Sequence, residues 1–190
     1  PVLLASSAAT LITGCELARP GFNSGDITGA GWGGDFRVPD HNGVVRTLAD
    51  FRGKAVLLFF GFTQCPDVCP TALLRMQGVM CLLGQDADRV QVLFMTIDPE
   101  RDTPAVLKEY VTLFDKRFLG LIASPQETAE VARRFNAFYR KIEGKTPTSY
   151  TMDHSTFTYG FDVKGRLRIL VQHNLEEEKV AEDVRKLLNA

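Results

Sequence analysis

The 190-residue sequence predicts an α/β domain: a central mixed sheet flanked by helices, with an N-terminal hairpin extension. Three observations carry this reading. Residues 55–60 (AVLLFF) and 90–97 (VQVLFMTI) are continuous apolar runs of strand length, the pattern of strands buried on both faces. Each run is followed by a segment with apolar residues at helical spacing. A later pair of strand-like runs, joined around Lys164-Gly165, leads into a closing amphipathic segment.

Composition bounds the function classes. Hydrophobic residues make up 45% and charged residues 24%, enough apolar mass for the core of one domain. The formal net charge of -1 argues against a nucleic-acid partner and against an electrostatic membrane surface. The four cysteines, Cys15, Cys65, Cys69 and Cys81, are too few for a disulfide scaffold, and their spacing is not that of a zinc ribbon.

Taken in order, residues 2–13 are apolar or small and carry no charge. That length suits the hydrophobic region of an export signal and is too short to span a bilayer, which needs about 20 residues. Leu11-Ile12-Thr13-Gly14-Cys15 is similar to a bacterial lipobox, in which the cysteine is lipidated. Residues 1–15 therefore read as an export signal and lipobox-like anchor that holds the chain at the bacterial periplasmic, extracytoplasmic face of a membrane through a lipidated Cys15, with an uncleaved anchor helix and a disordered apolar tail as the alternatives. Residues 16–34 are glycine-rich and aperiodic, and read as a flexible tether before a folded domain at 35–190. Outside the cytoplasm, Cys65 and Cys69 could be oxidised and reduced in turn.

Within the domain, residues 36–38 and 44–46 flank Asp40-His41-Asn42-Gly43, an Asn-Gly hairpin signal in which His41 reads as a surface turn residue. The strand at 55–60 runs into GFTQCPDVCPTAL at residues 61–73. Leu73, Leu74, Met76, Gln77, Met80, Cys81 and Leu83 then form one helical face that Gly84 ends, with Cys81 as a small buried hydrophobe. After the strand at 90–97, Asp102-Thr103-Pro104 starts a helix with the stripe Val106, Leu107, Tyr110, Val111 and Phe114. Residues 119–123 form a short strand, and Ser124-Pro125-Gln126-Glu127 starts a helix continued by Val131, Phe135 and Phe138. Residues 140–153 have no period and read as a polar excursion that delivers the chain to His154. Runs at 156–162 and 166–171 make a hairpin, and Val180, Val184, Leu187 and Leu188 define the last helix.

This order of elements is that of a thioredoxin-like sheet. In that architecture a reactive site sits after the first core strand, where its helix begins. The loop before the later hairpin folds back toward the same end, so topology, rather than spacing, brings His154 to Cys65 and Cys69.

Two thiols four residues apart lie on neighbouring turns of a helix, within reach of one ion or one disulfide. A helix N-terminus lowers a thiol pKa and raises the thiolate fraction. The C-x-x-x-C spacing leaves redox chemistry, metal binding and a structural staple open, although so small a loop gains little from a staple. With an imidazole added, two soft thiolates and one nitrogen suit copper. A closed structural zinc site takes four protein ligands, whereas three leave a position open for exchange. Asp67 and Asp153 either orient such a site or are solvated loop acids.

Residues 61–73, together with Asp98-Pro99-Glu100-Arg101-Asp102-Thr103, Pro104, Tyr110 and Asp153-His154-Ser155, resemble the SCO/SenC family. The resemblance runs from about residue 36 to the C-terminus. It implies a copper-binding, thioredoxin-like domain tethered to a membrane and involved in assembling cytochrome c oxidase. Cys65 and Cys69 would occupy the paired thiol positions and His154 the distal ligand position, with no ligand role for residues 98–102. The lipobox-like start departs from the single transmembrane anchor more usual in the family. The implied function is a metallochaperone that holds one copper ion, Cu(I) or Cu(II). It would pass the ion to the CuA-bearing subunit of cytochrome c oxidase or to another copper-dependent protein, while a thiol reductant keeps the cysteines reduced. The alternatives are an extracytoplasmic thiol–disulfide reductase that uses Cys65 and Cys69 as a redox-active catalytic pair, and a thiol peroxidase or redox sensor. The composition of 140–153 further suggests a loop that lets His154 swing away.

Overall fold

The computed structural model describes residues 21–146 and 149–190. Its strands are β1 (Gly25–Asp26), β2 (Val38–Pro39), β3 (Val45–Arg46), β4 (Ala55–Gly61), β5 (Val90–Thr96), β6 (Leu119–Leu121), β7 (Tyr139–Ile142), β8 (Thr151–His154), β9 (Thr158–Phe161) and β10 (Leu167–Val171). Its helices are α1 (Val68–Leu83), α2 (Pro104–Thr112), α3 (Pro125–Arg134) and α4 (Glu177–Leu188). Six strands form one mixed sheet in the order β1-β10-β9-β4-β5-β6, with β4, β5 and β6 parallel and the remaining pairs antiparallel. This is the expected α/β, thioredoxin-like architecture. The β2–β3 pair supplies the expected N-terminal hairpin. Among the described residues, no helix is long and apolar enough to cross a membrane.

The apolar runs form the centre of the sheet because every residue of β4 and β5 is buried. Successive side chains of β4 serve opposite layers. Phe59 packs on Phe94, and Phe60 packs on Phe135 and Tyr159. Helices α1 and α4 pack against each other, and α2 packs against β6. Gly84 ends α1 with φ +57°, a conformation that glycine adopts without a Cβ penalty. Ser124 and Glu127 close a capping box at the start of α3.

Four local expectations are corrected. The described part of the glycine-rich tether, residues 21–34, is held on the domain: β1 pairs with β10, and Trp32 stands edge-on to Tyr159 at 6.3 Å. The cause is Asp183, a fully buried carboxylate on α4 that accepts hydrogen bonds from the backbone N–H groups of Asn23 (2.9 Å) and Ser24 (2.7 Å). Residues 1–20, with Cys15 and the lipobox-like stretch, lie outside the described residues. His41 is buried rather than at the surface, because its Nδ1 accepts the Gly120 N–H at 3.1 Å. Cys81 is exposed: the buried stripe of α1 runs through Cys69, Leu73, Met76, Met80 and Leu83, and Cys81 lies one position beyond it. Finally, the polar excursion contains β7 and β8, an antiparallel pair in register from Tyr139↔His154 to Ile142↔Thr151. Its strands lie largely at the surface, so no apolar periodicity marked them.

Candidate metal centre

β4 ends at Gly61 and α1 begins at Val68, so Cys65 lies in the connecting turn and Cys69 in the first turn of the helix. The Cys65 N–H donates to the Phe62 carbonyl at 3.3 Å, which folds the turn back over the strand end. Cys69 is fully buried and Cys65 half-buried; neither is in a disulfide. A Cβ on Gly61 would stand 2.7 Å from Cys69 Sγ, so glycine is what lets the sulfur settle against the strand end.

His154 arrives at the same point from the end of β8. Cys65 Sγ, Cys69 Sγ and a His154 ring nitrogen all lie within 4.8 Å of one another. The Cys69 Sγ to His154 Nε2 distance is 3.5 Å. His154 Nδ1 lies 2.8 Å from the Ser155 carbonyl, which can only accept, so Nδ1 carries the hydrogen and Nε2 presents a lone pair to the thiols. Phe59 and Phe62 wall the imidazole edge-on, with centroids at 6.0 and 5.8 Å. The fold thus brings together all three residues that the sequence singled out.

The two thiols differ sharply. A hydrogen bond from Cys69 draws the Cys65 pKa down to about 3 against the opposing effect of burial, assisted by the backbone N–H groups of Asp67 and Cys69. The same bond, burial and the Cys65 charge push Cys69 far up. The resting pair is one thiolate hydrogen-bonded by one thiol. A thiolate, a thiol that deprotonates on coordination and a neutral imidazole form a soft donor set that fits copper. Among the described residues, no fourth cysteine, histidine or carboxylate joins the group.

The carboxylates flagged beside the site are peripheral. Asp153 is exposed and pairs with Arg140 at 3.3 Å, while Asp67 precedes α1 without a side-chain cap. Asp102, which the sequence marks only as the start of a helix, is fully buried between the strand ends. It accepts from Thr63 N at 3.1 Å, from the Thr63 hydroxyl and from the Thr96 hydroxyl, and burial raises its pKa. Asp102 thereby ties the loop that carries Cys65 to the end of β5. The signal was a pair of threonines closing otherwise apolar strands.

The SCO1/SenC family model matches residues 25–189. An SCO2-like protein of Rickettsia felis is 41% identical over 135 residues, 70% of this chain and 66% of that protein, so the match spans just under two thirds of its length. The mitochondrial SCO2 homolog of Bos taurus is 39% identical over 159 residues, 83% of this chain and 60% of that protein. Among solved structures, Bradyrhizobium japonicum ScoI with copper bound superposes with a TM-score of 0.76 at 39% identity, covering 82% of this chain and 99% of that one. Apo Sco1 from Thermus thermophilus superposes with a TM-score of 0.73 at 40% identity, covering 80% and 90%.

Proposed function

The chain belongs to the SCO1/SenC family, and from that premise we propose that it is a copper metallochaperone. It holds one copper ion through Cys65, Cys69 and His154 and passes it to the CuA-bearing subunit of cytochrome c oxidase or another copper-dependent protein. The observation that carries this reading is the convergence of the three donors with the His154 Nε2 lone pair turned toward the sulfurs. A thiol reductase has no need of that imidazole. Copper is the cargo, and three protein donors leave room for a ligand of the recipient to enter before the first one leaves. Oxidation of the Cys65 thiolate and the Cys69 thiol to a disulfide releases two electrons and one proton and removes two donors together, so redox state controls retention.

A second reading rests on the unequal thiols. The half-buried Cys65 thiolate is placed to attack a client disulfide, and buried Cys69 to resolve the mixed disulfide. That activity would act on the cysteines of an oxidase subunit and would consume a thiol reductant. The two readings part at His154→Ala: a chaperone loses copper retention and oxidase assembly together, whereas a reductase keeps its exchange rate and still supports assembly.

We place the domain at the extracytoplasmic face of a bacterial membrane, with residues 1–15 as the export signal and lipobox and the lipid on Cys15 as the anchor. Mass spectrometry of the N-terminal peptide from bacterial membranes tests this. A diacylglyceryl-cysteine supports it, and an unmodified Cys15 in a membrane-free fraction contradicts it.

A further inference from the structure

The metal centre is assembled from two parts with no local covalent link. Cys65 and Cys69 belong to the turn and helix after β4, whereas His154 belongs to β8 of the surface hairpin. One side chain from a third segment touches both parts. Arg101, in the loop between β5 and α2, donates through Nη1 to Gln64 Oε1 at 3.1 Å, the residue before Cys65. The same nitrogen donates to the Tyr150 carbonyl at 2.8 Å, four residues before His154. Its Nε donates to Asp98 Oδ2 at 2.5 Å. The guanidinium lies over the Tyr150 ring, 3.6 Å from the centroid.

Tyr150 completes the contact by donating its hydroxyl to Asp98 Oδ1 at 2.7 Å. Asp98 thus receives Arg101 on one oxygen and Tyr150 on the other. Lys141 of β7 packs over the same ring at 3.9 Å and pairs with Glu100 at 3.7 Å, adding a second tie between hairpin and loop. Arg101 is largely buried, and its Nη2 has no hydrogen-bond partner among the described residues.

We propose that Arg101 is a positioning residue: it holds the His154 strand in register with the Cys65–Cys69 turn and so sets how slowly bound copper is released. The proposal rests on the ligand set above and adds the group that aligns it. A planar fork is required, because lysine keeps the charge and can pair with Asp98 but cannot reach Gln64, Asp98 and the Tyr150 carbonyl together.

The test loads the reduced full chain with one equivalent of Cu(I) and follows release into excess bicinchoninate by stopped flow. It compares wild type, Arg101→Lys, Tyr150→Phe, His154→Ala and the double variant Arg101→Lys/His154→Ala. Partners that orient a metal ligand change metal retention about 10- to 100-fold. Arg101→Lys should therefore release copper about tenfold faster than wild type, toward the His154→Ala rate. Tyr150→Phe, which keeps the guanidinium and loses only the hydroxyl contact, should fall between and carries the test if Arg101→Lys folds poorly. In the His154→Ala background, Arg101→Lys should add nothing, a non-additivity that general destabilisation would not produce. Release at the wild-type rate in both single variants, or an equal acceleration with and without His154, overturns the proposal and leaves the ligand set standing. Identical release from wild type and His154→Ala overturns the ligand set, and this proposal with it.

Discussion

Cys69 Sγ and His154 Nε2 lie 3.5 Å apart although 85 residues separate them in the chain. The thiol belongs to a helix that follows the central strand; the imidazole belongs to a hairpin outside the central sheet. A donor set built across such a distance exists only in the folded state, so a bound metal must stabilise the fold by mass action. That coupling, the thiol asymmetry and the packing beneath the sulfurs each lead to a measurement.

The reduced protein should melt at a higher temperature with copper than without. At a free metal concentration one hundred times the dissociation constant, the gain is about 2.7 kcal/mol. Calorimetry of reduced and disulfide-oxidised protein checks this, and the oxidised form should show no shift.

Alkylation of the apo protein should fall on Cys65 and not on buried Cys69. Because a hydrogen bond from Cys69 holds the Cys65 pKa near 3, its thiolate fraction is already complete in mild acid. The iodoacetamide rate should therefore stay flat between roughly pH 5 and 8, where an ordinary thiol gains about tenfold per unit. Cys69→Ala removes the donor and should restore the pH dependence, read by peptide mass spectrometry.

Gly61→Ala should loosen the metal site. The added Cβ would meet Cys69 Sγ at 2.7 Å, Phe59 at 2.8 Å and Phe94 at 2.9 Å, so the sulfur must move. Overpacking of this kind costs about 1–3 kcal/mol of stability, and copper affinity should fall with it. Gly160→Ala is the control: its Cβ would meet Ile169 rather than the site, so it should lower the melting temperature and leave copper affinity unchanged.

How much of this was legible in the sequence depended on the kind of signal. Continuous apolar runs identified β4 and β5, since a strand buried on both faces needs no alternation, and proline and glycine marked the ends of α1, α2 and α3. Cys65, Cys69 and His154 were legible as residue types, but only the topology of the fold placed them together. The β7–β8 hairpin stayed hidden because its side chains are mostly solvated, and period-2 patterning requires a buried face. His41 and Cys81 were each misplaced by a rule that was locally sound. An Asn-Gly turn ordinarily faces water, but here the turn backs onto Gly120. A cysteine among apolar helix neighbours is ordinarily buried, but the stripe of α1 passes one residue to the side. The glycine-rich segment misled because its anchor, Asp183, lies at the far end of the chain.

Asp183→Ala should release residues 21–34. It leaves the N–H groups of Asn23 and Ser24 without their carboxylate, at a cost of about 1–3 kcal/mol for an unpaired buried group. Limited proteolysis should cut this segment faster in the variant, while the site at the C-terminal end of β4 keeps its copper affinity.

His41 should contribute to acid lability. Burial holds its pKa below the ordinary imidazole range, opposed by Asp40 and reinforced by Lys108, so the unfolded chain takes up a proton that the native state resists. Stability is then greatest above about pH 6.5 and falls as pH drops from there toward the folded value, below which this contribution levels off. His41→Asn offers an oxygen to the Gly120 N–H and does not titrate. Its stability difference between pH 7.5 and pH 5, from urea unfolding, should be smaller than that of wild type.

The central claim is that Cys65, Cys69 and His154 hold copper as a unit whose retention depends on redox state. Titration of the full chain with copper, followed by the nitrogen coupling in the Cu(II) paramagnetic resonance spectrum, tests it most directly. Reduced wild type should take up one equivalent with a single histidine nitrogen coupled. The Cys65–Cys69 disulfide form should take up none, and His154→Ala should bind more weakly without the nitrogen signature. One tightly held equivalent in the oxidised form, or unchanged affinity and spectrum in His154→Ala, would contradict the account.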